Sequence, residues 1–387
     1  MKRIYLDHGA SMPVEERVLE AMNQFIVKDY GNPSSLHTEG RAVKKLVGEA
    51  RESVAKLIGV EDPQNIIFTS SATEANNIAI RGVANRNKGK GNHVITSAIE
   101  HMSVVNPVKD LSKNGFDVTF VPVSPEGLVD PEKVNEAITD KTILISIMNA
   151  NGEIGTIEPI REIGGIARDA GIYFHSDCVA AEGRKPIDVE KDNLDLATLS
   201  SNDLYGPRGV GALYIRKGVK IQPIMYGGGQ ERGLRSGTEN VYGLVGMGKA
   251  AEIAMQEMKS ESVRLTKLRD KLIDGVLGNI EEAYLTGHRT LRLPHHASFR
   301  FSYIEGESII LNLDMEGISA STGSACSSKT LEPSHVLIAL GLKHEEAHGS
   351  LVLTLGHANN DEDVDYALDV IPRTVERLRE MSPLYKK

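Results

Sequence analysis

Between residues 65 and 215, short apolar runs alternate with stretches whose apolar residues recur every three to four positions. The runs Asn65–Ser70, His93–Ser97, Asp117–Val123, Thr142–Met148, Ile172–Asp177, Leu194–Ser200 and Val210–Ile215 predict strands. Glu74–Arg86 and Ile160–Asp169 predict amphipathic helices between them. Such alternation predicts a mostly parallel sheet covered on both faces, with ligands bound beyond the carboxyl ends of its strands. A long helical stretch, Leu244–Leu277, reads as a bridge to a second domain. There Ala297–Phe301 and Leu351–Leu355 read as strands, and Glu307–Met315 and Asp363–Leu378 as helices.

The chain has 387 residues, longer than one core usually grows, which favours two domains. A net charge of −9 without a basic block argues against nucleic acid or anionic membrane as main partner. No apolar run approaches the ~18 residues of a membrane span, and Met1–Asp7 lacks the apolar core of a signal peptide. Cys178 and Cys326 are too few for a disulfide framework, so the cytoplasm is the expected compartment.

Small and polar residues collect where the strands end. Ser70-Ser71-Ala72-Thr73-Glu74 opens a helix, either as a plain capped start or as a phosphate site built on free N–H groups. His101 is either a satisfied polar residue or a ring that stacks on a planar group. Asp177 either caps a turn or holds a pyridinium nitrogen in its charged form. Ser200-Ser201-Asn202-Asp203-Leu204-Tyr205-Gly206-Pro207-Arg208-Gly209 is turn chemistry that offers hydroxyl and N–H groups to an anion. Gly227-Gly228-Gly229-Gln230-Glu231 leads to Arg235-Ser236-Gly237-Thr238 in a glycine-rich loop. Small residues around Cys326, from Ala320 to Ser328, suit a sulfur carrier, whose thiolate must visit both a donor and an acceptor. Cys178, against a strand, reads as a small buried residue. His344-Glu345-Glu346-Ala347-His348 has zinc-protease spacing, but Gly341 and Gly349 leave about one helical turn for it. Gly243–Lys249 mimics a phosphate-binding loop, but Ala250 lacks the hydroxyl that would meet magnesium.

Taken together these motifs resemble the pyridoxal-phosphate cysteine desulfurases of the NifS/IscS type, within the class V aminotransferases. The resemblance implies an α/β PLP-transferase fold of aminotransferase type I. Its large domain, 15–255, would hold a mostly parallel seven-stranded sheet, and 1–14 with 256–387 would form a smaller α/β domain. It places Ala72, Thr73, Asp177, Ser200, Asn202 and Thr238 at cofactor-binding positions, with Thr238 reaching the neighbouring subunit's cofactor phosphate in a homodimer. It makes His101 the stacking ring and acid/base group, and Cys326 the persulfide carrier. L-cysteine is the implied substrate and an iron–sulfur scaffold protein the implied partner, with an iron–sulfur cluster at Cys326 arising only through that partner. Asn32 matches a residue near the substrate carboxylate, or forms an Asn-Pro turn.

Several positions depart from that pattern. Asn202-Asp203 replaces the His-Lys pair whose lysine holds the cofactor as a Schiff base. Gly152 and Ala180 replace two ring-contacting amides, and Val352 replaces the arginine that clamps the substrate carboxylate. His8, Ser11 and Met12 differ in the N-terminal motif, and Ser71 stands for a glycine. Losing the general base removes roughly 10²–10⁴-fold in rate, and losing the clamp about 1.5–3 kcal/mol in binding. The expectation is a protein that handles sulfur for cluster assembly through Cys326, turning over cysteine weakly or not at all. Pyridoxal phosphate would be held without a covalent bond, or be absent. A non-catalytic scaffold for partner docking is the alternative, and a zinc hydrolase through His344 and His348 a further one. The family's longer C-terminal tail, which helps dock the scaffold, has no counterpart after Tyr385-Lys386-Lys387.

Overall fold

The computed structural model describes residues 3–26, 28–323 and 333–385. β1 (Ile4–Tyr5), α1 (Glu16–Ile26) and α2 (Thr38–Leu57) come first. They are followed by β2 (Ile66–Thr69), α3 (Ala72–Asn87), β3 (His93–Ser97), α4 (Met102–Lys113), β4 (Asp117–Val121) and α5 (Pro131–Glu136). The sheet is completed by β5 (Thr142–Ser146), α6 (Ile160–Asp169), β6 (Tyr173–Asp177), β7 (Leu196–Ser200) and β8 (Gly211–Ile215). α7 (Val241–Asn279) then leads to β9 (Ala283–Leu285), β10 (His296–Phe301), α8 (Gly306–Met315) and β11 (Ile318–Ser319). The chain closes with α9 (His335–Ala339), α10 (His344–Ala347), β12 (Ser350–Thr354) and α11 (Asp361–Met381).

The seven-stranded sheet runs β2-β8-β7-β6-β5-β3-β4 and is parallel except for β8, which opposes both of its neighbours. β3, β5, β7 and β8 are buried along their whole length, as strands sandwiched between helices must be. α2, α6 and the first part of α7 pack on one face, and α3 with α4 on the other. In α6 the buried residues are Ile160, Ile163, Gly164 and Ala167, the spacing of a single helical stripe. The run read as a strand to Val123 ends at Val121, because Pro122 has no N–H for the ladder. Val123 instead bridges Val129.

A second core joins the two ends of the chain. β1 pairs in parallel with β11, and Ile4 and Leu6 pack with β10, β12, α8 and α11. α7 serves both cores, with Leu244 and Met247 in the first and Leu265–Val276 in the second. At ~1.5 Å per residue it is about 58 Å long. The phosphate-loop-like glycines fall inside this helix and allow close packing. A Cβ on Gly248 would lie 2.6 Å from the Ala50 Cα, and one on Gly246 2.7 Å from the Met22 sulfur. α10, which carries His344, is a single turn of four residues. No helix among the described residues is long and apolar enough to cross a membrane.

Candidate functional site

β2 delivers the chain to α3 through Ser70 and Ser71. Ser71 Oγ accepts from the Glu74 N–H at 3.2 Å, and Ser70 N–H donates to Glu74 Oε2 at 2.5 Å. This reciprocal cap satisfies two groups and leaves the N–H groups of Ala72 and Thr73 outside the helical ladder. Gly211 in β8 presses against the same turn, where a Cβ would meet the Ser71 carbonyl carbon at 2.5 Å and the Ala72 nitrogen at 2.8 Å. Asp177 ends β6 nearby. Its Oδ2 accepts from Asn76 Nδ2 at 2.7 Å and its Oδ1 from the Val179 N–H at 3.1 Å. Asn76 lies in α3, so this bond ties the acid to the helix that forms the cup.

The loop after β7 is organised around carboxylates. Asp203 is half-buried and lines a narrow cleft, with a cavity volume of only about 20 Å³, shared with Arg184, Tyr205 and His357. Burial pushes its carboxyl up to about 6, while hydrogen bonds from Ser200 and Asn202 and the Arg184 charge act to lower it. Ser200 and Asn202 therefore turn toward Asp203. Behind them Glu182 is 1% exposed and accepts from the Ser200 N–H at 2.6 Å. Burial, then the Asp203 charge, drive its pKa well above the ordinary value. Arg184 is buried, with Nη2 3.2 Å from the Met12 sulfur and its guanidinium 5.2 Å from the centre of the Tyr205 ring. Tyr205, at φ 60°, stacks on His357 with ring centres 4.1 Å apart.

Two of the departures meet in space. A Cβ on Gly152 would have a single neighbour within 4 Å, the Ala180 Cβ at 3.7 Å. The two missing amides thus leave one continuous gap. Val352 is buried in β12, paired with Ser298 and bridged to Ser321, and offers no charge. His101 caps α4, its Nδ1 accepting from the Ser103 N–H at 3.1 Å, with its ring exposed. Asn32 forms an Asx turn, its Oδ1 accepting from the Ser34 N–H at 2.9 Å. Cys178 is fully buried, and burial pushes its thiol up to about 12. Cys326 lies outside the described residues. Of the flanking residues, a Cβ on Gly323 would lie 2.2 Å from Glu153 Oε1, and His335 Nε2 is 2.9 Å from the Glu100 carbonyl oxygen. Both described ends of that segment therefore meet residues adjacent to Gly152 and His101.

Thr238 is exposed at the end of the glycine-rich loop, which two ion pairs fasten. Arg235 Nε meets Glu74 Oε1 at 3.1 Å, joining the loop to the cup. Glu231, at φ 45°, is gripped by both terminal nitrogens of Arg51 at 2.7 Å and accepts from the Phe68 N–H at 2.9 Å. Breaking a buried pair strands a charge, so Arg51→Ala is expected to cost about 3–5 kcal/mol in denaturant unfolding. A loss below ~1 kcal/mol would place Glu231 in contact with water.

Glu182 and Arg184 were not singled out in the sequence, where they follow a motif that breaks at Ala180. An acid and an arginine just past β6, behind the small uncharged run Cys178–Ala181, are the signal that could have marked them. Lys185 directly follows Arg184, yet its Nζ bonds Asn149 Oδ1 at 2.9 Å. The donor set fits a phosphate group at Ala72 and Thr73 and a ring nitrogen at Asp177. At position 203 the loop after β7 presents a carboxylate, which cannot condense with an aldehyde.

The model of the class-V aminotransferase family matches residues 4–367. A cysteine desulfurase IscS 1 from Archaeoglobus fulgidus is 56% identical, covering 99% of this chain and 100% of the relative. The cysteine desulfurase IscS of Dictyoglomus turgidum is 52% identical over 100% of this chain and 98% of its own. Among solved structures, a NifS-like protein superposes with a TM-score of 0.91 at 39% identity, covering 97% of this chain and 100% of that one. With the sheet order, the cup and these full-length likenesses in agreement, the chain belongs to the class-V aminotransferase family, among cysteine desulfurases of the NifS/IscS type.

Proposed function

We propose that the protein handles sulfur for iron–sulfur cluster assembly through a persulfide on Cys326, and that its own turnover of L-cysteine is weak. The observation that carries the second part is Asp203. A half-buried acid, bonded by Ser200 and Asn202, stands where a covalent anchor and general base is needed. Pyridoxal phosphate, when bound, supplies the electron sink for this chemistry. Ala72 and Thr73 would hold its phosphate, Asp177 its ring nitrogen, and His101 would lie over its face. Val352 leaves the substrate carboxylate without a clamp. We also propose a homodimer in which Thr238 completes the neighbouring subunit's cup. Tyr226, 77% exposed, and Leu36, 88% exposed, are the apolar side chains such an interface would cover.

The carrier reading draws on the motif and on its described neighbour Gly323, three residues before Cys326. Gly323 meets Glu153, next to the Gly152–Ala180 gap. The test supplies L-cysteine, pyridoxal phosphate and a reductant, and measures sulfide and alanine. Release roughly 10²–10⁴-fold below that of a lysine-bearing relative, abolished in Cys326→Ala, is the expected result. Sulfide at the relative's rate would refute weak turnover, and release unchanged by Cys326→Ala would refute the carrier.

A further inference from the structure

Building on the cofactor reading above, we propose that this site selects a phosphate monoester bearing a primary ammonium group, with Asp203 as its counter-ion. Among vitamin B6 phosphates that is the aminomethyl form, pyridoxamine 5′-phosphate, rather than the aldehyde. The phosphate end rests on the cup at the start of α3, a helix of 16 residues. The ammonium end rests on an excess of acceptors. Asp177 acts on both Glu182 and Asp203, those two crowd one another, and Arg184 acts on both. Three oxygens in this network are buried without a hydrogen-bond partner: the amide oxygens of Asn76 and Asn202, which can only accept, and Glu182 Oε2, which accepts once an approaching cation draws off the proton that burial favours. Glu182 is 1% exposed and Asn76 0%, and they adjoin Asp203 and Asp177 respectively. The orientation of Asn76 is fixed, because its Nδ2 serves both Ser103 Oγ and Asp177.

Buried acceptors without donors favour a ligand that brings donors. An ammonium brings three and a positive charge; an aldehyde brings none. A carboxylate cannot condense with an aldehyde, but it forms charge-assisted bonds with an ammonium, which favour the amine by about tenfold or more.

Isothermal titration of the full-length chain with each vitamer, and with inorganic phosphate as competitor, tests this. The native chain is expected to bind pyridoxamine phosphate about tenfold or more tighter than pyridoxal phosphate, at one site per chain displaced by phosphate. Asp203→Asn should abolish the preference while leaving phosphate competition intact. Lowering the pH below about 6, where Asp203 takes up its proton beside Asp177, Glu182 and Arg184, should shrink the preference too. Equal binding of both vitamers, or a preference that survives Asp203→Asn, overturns the counter-ion and leaves the cofactor cup standing. Failure of both vitamers to bind overturns the cup as well.

Discussion

The Asp203→Lys chain is expected to retain pyridoxal phosphate through gel filtration and to show a visible absorbance band that the native chain lacks. The substitution puts an ammonium beside Glu182, whose Oε2 has no hydrogen-bond partner, and within the field of Asp177. The surrounding acids favour a cation there, so the new side chain meets a site short of positive charge. On the proposed reading it also supplies a base, and a positioned base contributes roughly 10²–10⁴-fold in rate. Sulfide release from L-cysteine should therefore rise by about 10²-fold or more over the native chain. Recovery will be incomplete. On the same reading Val352 leaves the substrate carboxylate without a bidentate partner, worth about 1.5–3 kcal/mol, so KM should stay high by roughly 10- to 100-fold. Adding Val352→Arg should lower KM more than it raises kcat, because it restores binding that ground and transition states share. A variant that neither holds the cofactor nor releases sulfide would show that the gap between Gly152 and Ala180, not position 203, limits the site.

The strands were legible because burial on both faces leaves only apolar runs to read. Thr142–Met148 contains such a run, and β5 starts at the same residue. Asp203 could be read as a departure from a motif, but its consequence could not. That Ser200 and Asn202 turn onto it, with Glu182 behind, depends on how the turn after β6 meets the loop after β7, and no local pattern encodes such a meeting. The same holds for Gly152 and Ala180, each noted as a missing side chain, which face one another across the ends of β5 and β6. The glycine run at 243–249 misleads for a related reason. Small residues that would let a phosphate approach equally let α2 approach α7, and only the absence of a preceding strand tells the two apart.

Between pH 6.5 and 8 the native chain is expected to lose stability as pH rises, and Glu158→Gln to lose less. Burial pushes Glu158 and Glu100 up to about 8 from an ordinary value of 4.5, and raises Glu182 well above that ordinary value too. An acid whose folded pKa is raised gives a contribution that is full below its unfolded value and falls as pH climbs toward the folded one. The native state then holds a proton that the unfolded chain has already released, at a cost of about 1.4 kcal/mol per pH unit per group. The buried imidazoles work in the opposite direction. His8 is lowered to about 4 and His175 and His296 to about 3, so the unfolded chain takes up protons there only below the ordinary value of 6.5. Above 6.5 those histidines are neutral in both states, and the acids dominate. Glu158 suits the test because its Oε2 accepts from the Val129 N–H at 2.8 Å, a bond that glutamine keeps, while Oε1 has no hydrogen-bond partner. Urea unfolding at fixed protein concentration should show Glu158→Gln gaining about 2 kcal/mol on the native chain from pH 6.5 to 8. Parallel slopes would mean that Glu158 is ionised in the fold at neutral pH, and that a cation from a partner subunit or ligand lies against it.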